Sequence, residues 1–395
     1  MAAPAIAITG MGAISALGAG VAAQLQALRA GRSAIGPLRV HDLPFPELVF
    51  GEVPMTDAEL VAQLHDQQLP AGVARTVLLA LSAAEEAMAG ASFGAGDLTI
   101  ISASTVGGMD RTERAYAGRQ QDLKPLLNAA KGHEVGDHAR YLAARFNAGS
   151  ATTISTACSS SASAIMLGSQ LLKTGRAKVV LVGGADALCG FTVAGFRALS
   201  AMDTQACRPF TAGRAGMNLG EGAAYLLLER EDDAKKAGRK PQAYVVGYAN
   251  ANDAYHQTAT SPEGIGPQKA MEGALRVAGL ATKDIDHINA HGTATENNDL
   301  TELIAMERLF GNVPPFTSTK SLTGHTLAAA GALEAVFSVL SMKHGFVPAT
   351  ARAGAVVEGC RTEPVKSTLE MPVRTVLSNS FGFGGNGTSV IFRAS

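Results

Sequence analysis

One cysteine in the segment TISTACSSSASAIMLG (residues 153–168) is a candidate nucleophile. Cys158 stands where β-branched residues give way to small ones, which predicts a position between a strand and a closely packed helix. The amino end of a helix offers free backbone N–H groups and a positive dipole, which favour a thiolate and can bind an oxyanion. A single cysteine of this kind is otherwise an inert core residue, so its partners decide the interpretation.

Two histidine motifs supply such partners. INAHGTATENND places His291 after a short apolar strand, and TSTKSLTGHTLAAAGALE places His325 after a glycine. The second motif also contains Lys320 before the histidine and Glu334 after it. Taken alone, each histidine is more simply assigned to the core or the surface. Together with Cys158 they provide a soft nucleophile and two groups that donate hydrogen bonds while neutral at physiological pH.

Two glycine-rich segments are weaker signals. NSFGFGGNGTSVIF is interpreted either as a hairpin turn or as a backbone close to a substrate, where the N–H of Phe383 would complete an oxyanion site. No Lys-Ser/Thr follows it, which argues against a phosphate loop. TGMGAISALG resembles a dinucleotide-binding turn, but Ser15 occupies the third glycine position, so a dehydrogenase is poorly supported.

Composition excludes several classes of protein. The chain has 395 residues, 47% hydrophobic and 17% charged, with a net charge of -1, which argues against nucleic-acid binding and a polybasic membrane surface. The amino end lacks the basic region of a signal peptide, and no apolar run is long enough to span a membrane. The four cysteines Cys158, Cys189, Cys207 and Cys360 form no metal-binding spacing. We expect a reduced, cytoplasmic protein without a bound metal.

Strand and helix patterns alternate along the chain, which predicts an α/β architecture. A polar segment at residues 105–140 interrupts this alternation as an excursion from the core. The Cys158 and His325 segments also resemble each other, because each runs from a Thr/Ser-rich strand into a helix that begins with small residues. This echo predicts two related halves whose equivalent helices meet and begin at Cys158 and His325.

The ordered motifs resemble those of one enzyme family. GMGAISALG, STACSSSASA, RPF with GEGAAYLLLE, DAYH, AHGTAT, STKSLTGHTLAAAGALE and NSFGFGG occur in the order found in elongating β-ketoacyl-[acyl-carrier-protein] synthases. The resemblance implies the thiolase fold, in which two duplicated βαβαβαββ halves pack as five layers, α-β-α-β-α. The halves would be residues 1–245, with the nucleophile and the excursion at 105–140, and residues 246–395, with both histidines.

The resemblance also implies roles for individual residues. Cys158 matches the acylated nucleophile, His291 and His325 match the histidines of malonyl decarboxylation, and Lys320 and Glu334 match a supporting charged pair. The backbone N–H groups of Cys158 and Phe383 would form the oxyanion hole. The expected substrate-binding residues are Thr293, Thr295, Phe381, Phe383 and Gly384. Arg197 in GFRALS is the candidate for contact with an acidic carrier protein.

The implied reaction is a decarboxylative Claisen condensation between malonyl carrier protein and an acyl group on Cys158. It requires no cofactor, because acyl groups arrive on the phosphopantetheine arm of the acyl carrier protein. A homodimer is expected, and a chain-length-factor-like subunit, acting only in a heterodimer with another ketosynthase, is the alternative. Thiolase activity would require a second cysteine in the carboxyl-terminal glycine motif, and Cys360 lies outside it.

Several residues depart from the usual family pattern. Asn386 and Gly387 follow GFGG where the family usually has Thr-Asn, and Ala215 replaces the aspartate of an RDG motif. MNLGEG, TENND and the 105–140 excursion also differ from the fatty-acid enzymes. These features resemble condensing enzymes of specialised pathways, such as aryl polyene or flexirubin-type pigment synthesis.

Overall fold

The computed structural model describes residues 5–65, 69–70 and 72–395. The strands are β1 (Ile6–Ser15), β2 (Gly18–Ala19), β3 (Leu98–Ala103), β4 (Ser150–Ile154), β5 (Val179–Asp186), β6 (Gly222–Arg230), β7 (Ala243–Asn252), β8 (His287–Asn289), β9 (Phe316–Thr317), β10 (Phe346–Val347), β11 (Leu369–Glu370), β12 (Thr375–Phe381) and β13 (Asn386–Ala394). The helices are α1 (Val21–Arg29), α2 (Asp57–Gln63), α3 (Arg75–Ala87), α4 (Met109–Ala117), α5 (Lys124–Ala130), α6 (Asp137–Arg145), α7 (Ser160–Lys173), α8 (Gly190–Ala198), α9 (Glu231–Lys236), α10 (Ile265–Ala278), α11 (Glu296–Phe310), α12 (Lys320–Thr323) and α13 (Ala330–His344). None of these helices is long and apolar enough to cross a membrane.

The strand order shows an internal duplication. The main sheet has the order β4-β3-β5-β6-β1-β7-β13-β12-β8-β9. Outward from the junction of β1 and β7, each half presents its first, fifth, fourth, second and third main strand in turn. In each half the second strand is parallel to the third and fourth, and the fifth is antiparallel to the fourth and first. The expectation of two duplicated halves is therefore confirmed.

Helices α7 and α13 form the central layer, because they contact each other and strands of both halves. Helices α3 and α6 pack on strands of the first half, while α10 packs on β7 and β13 of the second half and also contacts α11. This gives the expected α-β-α-β-α arrangement. A Cβ on Gly331 of α13 would lie only 2.9 Å from the backbone nitrogen of Ala162 in α7. The small residues of both helix starts thus permit the close approach that brings the halves together.

The excursion at 105–140 contains α4, α5 and the start of α6. It leaves Tyr116, Leu123 and Leu127 exposed. The proposed boundary at 245/246 lies inside β7, which pairs with β13 along nearly its whole length. A division between α9 and β7 would keep that strand whole.

A buried ion pair connects α3 to the segment before β6. The Nη2 of Arg75 donates to the Oε1 of Glu221 at 2.8 Å, and both side chains are almost fully buried. Arg75 also donates to Asp57, while Glu221 accepts from the backbone N–H groups of Val53 and Leu188. Burial opposes ionisation of Glu221, but the hydrogen bond of His41 and the charge of Arg75 lower its pKa to about 2. Both members of the pair are therefore charged at neutral pH.

Removal of the cation alone should destabilise the fold. Arg75→Met should lower the free energy of unfolding by about 3 to 5 kcal/mol, because it leaves the buried Glu221 carboxylate with His41 as its one remaining basic partner among the described residues. The double variant Arg75→Met/Glu221→Gln should be more stable than the single variant, since no unpaired charge remains. Urea-induced unfolding measures both values. Equal stability of the single variant and the unaltered protein would contradict this interpretation of the pair.

Candidate active site

Cys158 lies at the amino end of the central helix α7, as the sequence predicts, and is 7% exposed. The preceding residue, Ala157, has φ 51, a left-handed conformation that is uncommon for alanine. The hydroxyl of Ser160 accepts a hydrogen bond from the backbone N–H of Thr156 at 2.8 Å and fixes the turn. The sharp turn between strand and helix positions the thiol at the contact between the two halves.

The predicted equivalence of Cys158 and His325 is wrong. Leu327 has φ 52 and lies three positions before Ala330, the first residue of α13, as Ala157 lies three positions before Ser160. By this geometry Ala328 is the counterpart of Cys158. A 3-10 turn over Leu327–Ala329 separates His325 from α13, so His325 reaches the site from the loop before the helix.

The structure nevertheless brings the predicted catalytic side chains together. The Cys158 sulfur and one ring nitrogen each from His291 and His325 lie within 4.8 Å of one another. The two imidazole rings are 5.4 Å apart at an interplanar angle of 84°. Both histidines are 1% exposed. Cys158 and two histidines that lie more than a hundred positions after it in sequence therefore form one buried cluster.

Hydrogen bonds define the tautomer of each histidine. Lys320 Nζ lies 3.2 Å from His291 Nδ1, and the backbone N–H of Leu327 donates to His325 Nδ1 at 3.2 Å. An ammonium and an amide N–H are donors only, so each Nδ1 must accept and each neutral ring carries its proton on Nε2. The buried Nε2 of His325 has no hydrogen-bond partner among the described residues. Its N–H is therefore available to a substrate.

Burial and charge keep both rings neutral. Burial, reinforced by the Lys320 charge, lowers the pKa of His291 and of His325 well below the ordinary value of a histidine. The Lys320 ammonium also donates to the His291 carbonyl at 2.6 Å and to Glu334 Oε1. Burial raises the pKa of Glu334 to about 7 against the opposing charge of Lys320. Lys320 and Glu334 thus form the expected pair, and the lysine uses all three of its donors.

The pKa of the Cys158 thiol contradicts the expectation that the helix end favours a thiolate. Burial raises the pKa of Cys158 to about 11, and the nearby Asp186 charge adds to the rise. Lys320 and the backbone N–H groups of Cys158 and Phe383 lower the pKa by less. Desolvation outweighs the helix end because the sulfur is enclosed. The same two N–H groups that act on the sulfur form the donor pair expected of an oxyanion hole.

A cavity of about 430 Å³ opens beside the thiol; its lining mixes polar and apolar groups, and it is called the polar cavity below. Its lining includes both histidines, Cys158 and the predicted substrate-binding residues Thr293, Thr295, Phe381 and Phe383. Gly384 is not part of this lining, and its N–H donates to the Gln257 carbonyl at 2.7 Å. Ala215, one of the departures from the family pattern, also lines the cavity. This side of the thiol suits a polar, hydrogen-bonding substrate.

An apolar cavity of about 300 Å³ lies on the other side and shares Cys158, Leu199 and Phe383 with the polar one. Its wall includes Val106, Met109, Phe191, Phe196 and Leu327. A further cavity of about 280 Å³ continues from Met109 and Phe191 to Tyr116 and His133 in the 105–140 excursion. An aliphatic chain on Cys158 would fit this side, with the excursion at its far end.

Arg197 lies on α8, beside Phe196 of the apolar cavity. Its side chain is 56% exposed and pairs with Glu47 at 2.9 Å. The guanidinium also lies 5.7 Å from the centre of the Phe45 ring. Arg197 is thus at the surface near the site, with its charge partly neutralised by the glutamate.

Two buried carboxylates near the site escaped the sequence analysis. Glu302 accepts from the backbone N–H groups of His291 and Gly292, each at 2.9 Å, and so fixes the His291 turn. Asp186 accepts hydrogen bonds from both halves of the chain. Glu302 lies in α11 and Asp186 is the last residue of β5, and neither position by itself signals a buried carboxylate in the sequence.

The chain is similar to known condensing enzymes over nearly its whole length. The profile of the beta-ketoacyl synthase N-terminal domain matches residues 3–234, and that of the C-terminal domain matches residues 242–353. Nodulation protein E of Rhizobium meliloti (strain 1021) is 35% identical over 407 residues, 98% of each chain. A 3-oxoacyl-[acyl-carrier-protein] synthase 2 of Coxiella burnetii is 34% identical over 420 residues, also 98% of each.

Solved structures show the same fold at full length. The ishigamide ketosynthase/chain length factor superposes with a TM-score of 0.94 at 31% identity and 100% coverage of both chains. A type II polyketide synthase structure of a ketosynthase with its acyl-carrier protein gives a TM-score of 0.88 at 26% identity, again over 100% of both chains. The duplicated fold, the two family profiles and the full-length relatives lead to one conclusion: this chain belongs to the β-ketoacyl synthase family of condensing enzymes.

Proposed function

We propose that this chain catalyses the condensation of malonyl carrier protein with an acyl group held on Cys158, yielding a β-ketoacyl carrier protein and carbon dioxide. The observation that carries the proposal is one thiol shared by a polar and an apolar cavity, with two neutral Nε2–H donors beside it in the polar cavity. The apolar cavity accommodates the acyl chain, while the polar cavity admits the malonyl group and its phosphopantetheine arm.

Acyl transfer is the first step. The Cys158 sulfur attacks the thioester carbon of the incoming acyl carrier protein, and the carbonyl oxygen becomes an oxyanion. The backbone N–H groups of Cys158 and Phe383 stabilise this oxyanion. As the carbon–sulfur bond to the arm breaks, the phosphopantetheine thiol leaves with the proton that the Cys158 thiol has given up. The raised thiol pKa means that deprotonation accompanies attack instead of preceding it.

Condensation follows with malonyl carrier protein in the polar cavity. The carbon–carbon bond to the malonyl carboxylate breaks, carbon dioxide leaves, and the electron pair moves onto the thioester oxygen as an enolate. The Nε2–H groups of His291 and His325 donate to that oxygen. The enolate carbon then attacks the Cys158 thioester, forms the new carbon–carbon bond and releases the cysteine as a thiolate, which takes up a proton from solvent to restore the thiol. Neutral donors are suited to this step because they stabilise charge that develops during the reaction.

We propose that no metal takes part. A histidine binds a metal through an unprotonated nitrogen, but Lys320 and Leu327 direct the proton of each ring onto the nitrogen that faces the cluster. The close cysteine and histidines therefore resemble a ligand set in spacing only. Negative charge rests on the thioester oxygen, so no redox cofactor is required either.

The proposed partners are an acyl carrier protein and a second chain of this fold. Relatives include a ketosynthase bound to its acyl-carrier protein and a ketosynthase/chain length factor. Exposed Phe191 and Tyr116 border the apolar cavities, an apolar surface suited to a second subunit. A role as a chain-length-factor-like subunit is the second candidate, supported by the same relatives. Retention of the thiol and both histidines favours the catalytic subunit, in fatty-acid or polyketide synthesis.

The roles of the thiol and the histidines can be separated. Cys158→Ala should abolish the acyl adduct and condensation, because the acyl chain has no attachment point. His291→Ala or His325→Ala should retain an adduct but lower malonyl decarboxylation about a hundred- to thousandfold, the effect of one lost oxyanion donor. Intact-mass analysis measures the adduct, and trapped carbon dioxide measures decarboxylation. Normal acylation of the cysteine variant, or normal carbon dioxide release by both histidine variants, would refute the assignment.

Recognition of the acidic carrier protein is tested at Arg197. Arg197→Glu should slow acylation from acyl carrier protein but leave acylation from a small thioester unchanged, because opposed surface charges slow protein encounter. Arg176→Glu is the matched control, since Arg176 lies just beyond the end of α7 opposite to Cys158 and is exposed. If Arg197→Glu slows both acyl donors equally, or has no more effect than the control, Arg197 does not bind the carrier protein.

A further inference from the structure

The buried carboxylate of Asp186 accepts hydrogen bonds from both halves of the chain. It lies at the end of β5, is fully buried and accepts hydrogen bonds from five groups. Four of the donors belong to the first half: the Ser104 hydroxyl at 2.6 Å, the Thr105 N–H at 2.9 Å, the Thr105 hydroxyl at 2.6 Å and the Val106 N–H at 3.0 Å. From the second half, the Ala328 N–H donates at 2.8 Å.

Both groups of donors belong to segments that border the reacting thiol. Thr105 and Val106 line the apolar cavity. Leu327, the neighbour of Ala328, lines the same cavity and donates the hydrogen bond that fixes the His325 tautomer. The left-handed φ of Leu327 is unfavourable for a leucine and persists only where the surroundings enforce it. The hydrogen bond between Ala328 and Asp186 supplies such a constraint.

We propose that Asp186 is a positioning residue of the reaction: its carboxylate holds the Leu327–Ala328 turn against the cavity wall and thereby orients His325 toward the substrate. The inference rests on the proposed function and extends it to a residue that touches no substrate. Five donors converge on the carboxylate and favour its ionised form, although burial raises the pKa of Asp186.

The charge of Asp186 provides a second, independent readout. It adds to burial in raising the pKa of the Cys158 thiol, against the opposing charge of Lys320. His291 and His325 are the other titratable groups of the cluster, and both are neutral. Removal of the negative charge should therefore lower the thiol pKa, even though the fold loses a buried hydrogen-bond network. This shift reports the charge of Asp186 at the thiol, whereas the decarboxylation rate per folded protein reports the position of His325.

The test is Asp186→Asn in the full chain. Malonyl decarboxylation should fall about ten- to hundredfold, as for other partners that orient a functional histidine. Alkylation of Cys158 by iodoacetamide should become faster at every pH between about 7 and 9, because a lower pKa gives more thiolate. Peptide mass analysis measures alkylation at this cysteine. The alkylation reaction needs no carrier protein, so its rate can be interpreted even if the proposed function is wrong.

A matched control separates a loss of His325 positioning from general destabilisation of the fold. Asp286 accepts from the consecutive backbone N–H groups of Arg374 and Thr375 at 2.8 and 2.9 Å, beside β8 and β12. Asp286→Asn should leave both rates per folded protein unchanged.

If Asp186→Asn does not fold, Ser104→Ala removes one of the five donors and should lower decarboxylation by a smaller factor. Unchanged decarboxylation per folded protein in Asp186→Asn, or in Ser104→Ala where only that variant folds, overturns the proposal.

Discussion

The buried ammonium of Lys320 sets the charge state of the whole site. It directs one hydrogen to His291 Nδ1, one to the His291 carbonyl and one to Glu334. Its charge also lowers the pKa of both histidines and opposes the rise in the thiol pKa. Because an isolated buried cation would be strongly unfavourable, Glu334 is required to balance it. Burial together with this charge keeps both histidines neutral, and Lys320 fixes the Nε2 proton of His291, whereas the Leu327 N–H fixes that of His325.

The duplicated fold explains how such a cluster forms. The first half contributes the thiol at the start of α7, and the second half contributes both histidines, the lysine and the glutamate. Small residues, including Gly331 opposite Ala162, let the two central helices meet at these ends. The Glu302 carboxylate accepts hydrogen bonds from the backbone at His291 and Gly292. The Asp186 carboxylate accepts one from Ala328, close to the His325 loop. The reacting atoms are thus positioned by packing between the halves, while hydrogen bonds within the second half orient the histidines and one from Ala328 to Asp186 joins the halves.

The sequence predicted much of this arrangement and missed some of it for physical reasons. Alternating strands and helices and the ordered motifs predicted the duplicated fold and the meeting of Cys158 with His291 and His325. The equivalence of Cys158 and His325 was wrong because His325 lies three residues before Ala328, in the loop ahead of the 3-10 turn, and only backbone angles identify Ala328 as the counterpart. The thiol pKa was misjudged because a helix end is visible in sequence, whereas the degree of enclosure is not. The roles of Asp186 and Glu302 depend on contacts with distant backbone N–H groups, which local patterns do not encode.

The central claim is that both active-site histidines are neutral and carry their proton on Nε2. Nitrogen NMR of the protein with ¹⁵N-labelled histidine measures the protonation of each ring nitrogen, and the variants His291→Gln and His325→Gln assign the signals. The account predicts, for both rings, an unprotonated Nδ1 and a protonated Nε2 throughout the range from about pH 6 to pH 8, where an ordinary histidine titrates. A ring that becomes doubly protonated in this range, or that carries its proton on Nδ1, would contradict it.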